Sequence, residues 1–88
     1  MEYYYSVAKG KLPEELAALM LNERVAAIKQ AGLGKLDEQI AMQYFIERLP
    51  HSDVAAIVGR DRSTVSRRLK EITPQIKHAA ASLTKIPQ

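Results

Sequence analysis

Residues 60–70 carry five basic side chains, Arg60, Arg62, Arg67, Arg68 and Lys70, interleaved with hydroxyls at Ser63, Thr64 and Ser66. This donor set has no nucleophile–base pairing. It is equipped to bond phosphate oxygens and base edges, where a single arginine engages guanine O6 and N7 together. Such work needs the donors on one face of a rigid element, so the local fold decides what the cluster can do.

The spacing predicts that element. In HSDVAAIVGRDRSTVSRRLKEI, residues 51–72, the apolar residues Val54, Ala55 and Val58 stand at i, i+1 and i+4, one face of a short helix with Ser52 as its N-cap. Gly59 follows, where a chain leaving a helix takes a positive φ at little cost. Asp61 then caps a second helix, whose buried stripe is Val65, Leu69 and Ile72 at i, i+4 and i+7. Only Arg60 and Asp61 are left for the turn. The two helices must therefore cross steeply, with Ala55 small enough for the crossing point, and the segment reads as a helix-turn-helix.

A core stripe at 65, 69 and 72 leaves Arg62, Ser63, Ser66, Arg67 and Lys70 pointing outward. In a helix-turn-helix the second helix enters the major groove of duplex DNA. Arg62 and Arg67 are the expected base readers, and Ser63 and Ser66 can contact bases or phosphates. Thr64 and Ser52 sit near helix starts suited to phosphate, and Lys70 and Arg68 are placed for backbone charge.

The remainder reads as support. Pro13, Glu14 and Glu15 open a predicted helix from about 13 to 31, with Leu16, Leu19, Met20, Ala27 and Ile28 inward and Gly32 and Gly34 stopping it. Another runs from about Asp37 to Leu49, with Ile40, Ala41, Tyr44, Phe45 and Leu49 inward and Pro50 ending it. Thr73 and Pro74 break or kink the chain before a short last helix, in which Lys77 reads as ordinary surface charge. The expected fold class is all-α: a tri-helical helix-turn-helix core at about 36–73, a supporting helix at about 13–31 and a C-terminal helix at about 74–84. Residues 1–12 form a tail and 13–88 one domain. Tyr3, Tyr4 and Tyr5 in that tail are a fraying end, a packed aromatic patch or a self-association element.

Composition narrows the field further. At 88 residues the chain has room for one domain, burying roughly 60 to 65% of its unfolded surface. The absence of cysteine excludes disulfides, zinc-thiolate sites and thiol chemistry. The longest apolar stretch, Leu16 to Leu21, is far below a membrane span, and MEYYYSVAKGK lacks the pattern of a signal peptide, so the expectation is a cytoplasmic protein without membrane contact. Residues 1–50 carry six basic and seven acidic side chains, against seven and three in residues 51–88. The positive excess is therefore local, as attraction of a polyanion requires.

Residues 36–72, LDEQIAMQYFIERLPHSDVAAIVGRDRSTVSRRLKEI, resemble the fourth conserved region of bacterial RNA polymerase sigma factors and the small stand-alone regulators built on it. The likeness lies in Leu36 and Gln39, the pair Val54-Ala55, Gly59, and the string Ser63-Thr64-Val65-Ser66-Arg67-Arg68-Leu69. It implies that the second helix of the motif binds the major groove of a promoter element, with Arg62, Ser63, Ser66 and Arg67 at the matching positions. Nothing in residues 1–35 resembles the sigma region that binds core polymerase and melts promoter DNA. The resemblance therefore implies a bacterial or phage transcriptional regulator acting alone, or an accessory piece that contacts RNA polymerase while bound to DNA. A single recognition helix is a small interface, so specificity calls for a homodimer or a partner. The helix at 13–31 either supplies a dimer surface or packs on the motif.

Enzymatic readings find little support, and no cofactor is expected. His51 and His78 are 27 residues apart without a partner at a recognisable spacing. Gly34-Lys35 ends like a phosphate-binding loop, but Leu36 replaces the hydroxyl residue and Lys29 stands at the first glycine position. The remaining alternative is a helical protein-binding module that does not bind DNA, and salt dependence separates it from a phosphate binder.

Overall fold

A computed structural model describes residues 12–84, and every regular element among them is helical. The order is α1 (Glu14–Ala17), α2 (Leu21–Gln30), α3 (Lys35–Ala41) continued by a π-helical turn (Met42–Ile46), α4 (His51–Val58) and α5 (Arg62–Thr84). The three-tyrosine run lies outside the described residues, as does the expected tail except for Leu12, which packs against the core.

The axis of the fold is α5, which touches all four other α-helices. Its stripe of Val65, Leu69, Ile72, Ile76, Ala79 and Ala80 meets Ala27 and Ile28 of α2, Ile40 and Ala41 of α3, Phe45 of the π turn, Val54 and Ala55 of α4, and Leu16 and Leu19 around α1. No polar or charged side chain among the described residues is buried. Apolar burial is thus the main cohesive term, supplemented by ion pairs at the surface.

Three expected boundaries are corrected. The predicted helix over 13–31 is two helices, α1 and α2, separated at residues 18–20. Side chains from the following turn stabilise the break. The Arg24 Nε–H donates to the carbonyls of Leu16 (2.9 Å) and Leu19 (3.2 Å), while Glu23 accepts from the Met20 N–H at 2.9 Å. Otherwise orphaned backbone groups at both helix ends gain partners. The break also changes the phase of the apolar pattern: Leu19 stays inside, whereas Met20, expected inward, is 71% exposed.

The second helix was expected to run from Asp37 to Leu49 and stop at Pro50. It starts at Lys35, widens into the π turn and ends at Ile46. The widened geometry closes with the Glu47 N–H on the Met42 carbonyl (3.0 Å) and the Leu49 N–H on that of Gln43 (3.1 Å). Arg48 takes a left-handed φ of 61° to turn the chain. Phe45 is fully buried as expected, while Tyr44 and Leu49 are half-buried at the edge.

Instead of a break at Thr73–Pro74, α5 runs unbroken through Pro74 to Thr84. Proline removes one backbone donor and crowds the preceding turn. Here the residue is exposed, and burial of Ile76, Ala79 and Ala80 beyond it holds the second half of the helix to the core. The Thr73 hydroxyl donates to the Leu69 carbonyl at 2.6 Å, giving the local backbone another partner.

Candidate nucleic-acid interface

The geometry begins at Gly59, where φ 72° and ψ 32° end α4 in the left-handed conformation expected of it. The N–H groups of Gly59 (2.9 Å) and Arg60 (3.1 Å) both reach the Ala55 carbonyl, closing the helix tightly. Ala55 is buried at this point, with the smallest apolar side chain that a close approach of α4 and α5 accepts. At the other end of α4 the expectation fails. The N-cap is Pro50, not Ser52, and no side chain caps the helix. With φ −70° and ψ 165°, Pro50 is already shaped for helix entry, and its carbonyl accepts from Asp53 and Val54 at 3.0 Å. Ser52 falls in the first turn, exposed.

Asp61 stands at the start of α5, as the sequence suggests. Its carboxylate accepts from the hydroxyls of Thr64 (2.9 Å) and Ser63 (3.3 Å). These bonds, the Thr64 bond foremost, hold its pKa below the ordinary carboxylate value, and the nearby positive charge of Arg67 acts in the same direction. The Thr64 hydroxyl proton is therefore directed at Asp61 and not at an incoming phosphate. Ser63 keeps only a long bond to the same carboxylate.

Beyond this first turn, Arg62, Ser63, Ser66, Arg67 and Lys70 line one shallow depression on the outer side of α5. Arg62, Ser63, Arg67 and Lys70 are exposed and Ser66 is half-buried. Arg62, Arg67 and Lys70 form no hydrogen bond or ion pair with any described residue. Val65, Leu69 and Ile72 on the opposite side are buried, so one helix carries an anchored face and a free basic face.

Arg68 differs from its predicted role at the DNA backbone. It turns away from the depression and bonds Asp37 of α3 through two nitrogens, at 3.0 and 2.6 Å, and Glu71 at 2.8 Å. Hydrogen bonding and charge from Asp37 push its pKa up, so it stays cationic. Two carboxylates offset that cation, and Arg68 becomes a brace between α5 and α3. Asp37 lies 31 residues from Arg68, and no local sequence pattern links the two.

No described group of His, Cys, Asp and Glu residues is arranged to hold a metal ion, and no described helix is long and apolar enough to cross a membrane. Comparison with known proteins returns no matching family, curated relative or solved structure. The functional reading therefore rests on this chain's own residues.

Proposed function

We propose that the chain binds duplex DNA through a helix-turn-helix formed by α4, the Gly59–Asp61 turn and α5, and that it acts as a transcriptional regulator resembling sigma region four. The observation that carries the reading is the two-sided character of α5. Its inner stripe is fixed in the core, while Arg62, Ser63, Ser66, Arg67 and Lys70 stand together outside, with the three cations making no hydrogen bond or ion pair to any described residue. In this reading Arg62 and Arg67 meet base edges, Ser63 and Ser66 add hydroxyl contacts, and Lys70 meets a phosphate.

Titration of random-sequence duplex DNA at several salt concentrations tests the class. Binding weakens steeply with salt if phosphates are neutralised, by a slope of about −0.9 per contact, whereas a salt-insensitive interaction or none at low salt contradicts the reading. Selection from a random duplex pool supplies a preferred site. On it, Arg67→Ala costs about 1–3 kcal/mol, with a smaller loss on random DNA. An equal loss on both makes Arg67 a phosphate contact instead of a reader.

A further inference from the structure

The basic face of α5 continues past the residues assigned to base reading. At 100° per residue, positions 63, 66, 70, 74 and 77 fall within a sector of about 80°, which places Lys77 in line with Lys70 and ~10.5 Å farther along the axis. A groove runs beside this row. It shares Ser66 and Lys70 with the basic depression, has Tyr44 and His51 on its other wall, and is rimmed by Lys77. The Tyr44 and His51 rings pack at 5.1 Å, and no described Asp or Glu lines the groove. Lys77 forms no hydrogen bond or ion pair with any described residue.

The tip of α5 has the opposite character. Asp61, kept ionised by its hydroxyl donors, occupies the N-terminus and offsets the positive end of the helix dipole. A phosphate approaching end-on meets a carboxylate, while one approaching from the side meets Lys70 and Lys77. From Ser63 to Lys77 the row extends ~21 Å, against a major groove about 12 Å wide. Lys77 thus reaches beyond the base edges to the level of the sugar-phosphate backbone, and long recognition helices do contact backbone with their C-terminal ends.

Resting on the DNA-binding reading, we infer that α5 docks lengthwise and that the groove between α5 and the Tyr44–His51 wall receives the phosphates of one flanking DNA strand, anchored by Lys77. The lysine acts as a point charge, with its half-buried stem along the groove edge.

Random-sequence duplex is titrated with the wild type, Lys77→Gln, Lys77→Arg and Lys70→Gln across a salt series. The expected result is a salt slope shallower by about 0.9 for Lys77→Gln, so that the wild-type advantage shrinks about three- to fourfold between roughly 50 and 200 mM salt. Lys77→Arg, which keeps the charge and tests whether position 77 tolerates change in the fold, restores the slope. A wild-type slope in Lys77→Gln alongside a reduced slope in Lys70→Gln overturns the lengthwise anchor and leaves the DNA reading standing. Absence of wild-type binding at low salt overturns both.

Discussion

Asp61 is a carboxylate at the edge of a basic surface, and its contacts explain why it is there. It accepts from Thr64 and Ser63 and stabilises the first turn of α5, the turn that aims Arg62 and Ser63 outward. Because its folded pKa is lowered from 3.8, its stabilising contribution is present above that value and is lost as pH falls through the lower folded value. Asp61→Asn is expected to be less stable than the wild type near neutrality, with the gap closing in thermal melts as pH falls through the ordinary carboxylate value and below it. A gap that stays constant over that range contradicts the role. Gly59 was legible in the sequence, since it answers a local backbone demand at a helix end, and so was the place of Asp61 at the start of α5, although its carboxylate takes the hydroxyls of Thr64 and Ser63. Ser52 offers a good capping side chain, but Pro50 shapes the helix entry two residues earlier, so the same local signal points to the wrong residue there.

Among the elements, α5 shows how a tertiary stripe overrides a local breaker. Proline signals an interruption at 74, yet the apolar residues at 72, 76 and 80 hold one continuous rod against the other helices. Pro74→Ala is expected to raise stability by about 2 kcal/mol in urea denaturation. It restores a helix donor and removes a penalty of about 3 kcal/mol, partly offset by the greater freedom of the unfolded chain. A loss of stability would mean that the proline ring itself supports the packing. The buried stripe 65, 69, 72 was legible because its period lies within one helix. The break between α1 and α2 was not: Leu16 and Leu19 keep helical spacing across it, and the side chains that satisfy its ends, Glu23 and Arg24, look like ordinary surface charges until the chain is folded.

For the whole molecule, a central helix is gripped on one side and left open on the other. The Arg68–Asp37 brace ties α5 to α3 across 31 residues, a connection hidden from sequence pattern because it depends on how two helices pack. The composition of the basic face was legible, since core periodicity alone assigns its outward positions; the loss of Arg68 from that face was not. The central claim is that this open face, and no other, meets duplex DNA. Backbone-amide NMR of the labelled protein titrated with its selected duplex tests that most directly. The account predicts the largest shift changes at Arg62, Ser63, Ser66, Arg67 and Lys70, with little change around Gln75, Ala79 and Ser82 on other sides of the same helix. Changes centred instead on the exposed Met20–Leu21 corner, with the basic face silent, would contradict it.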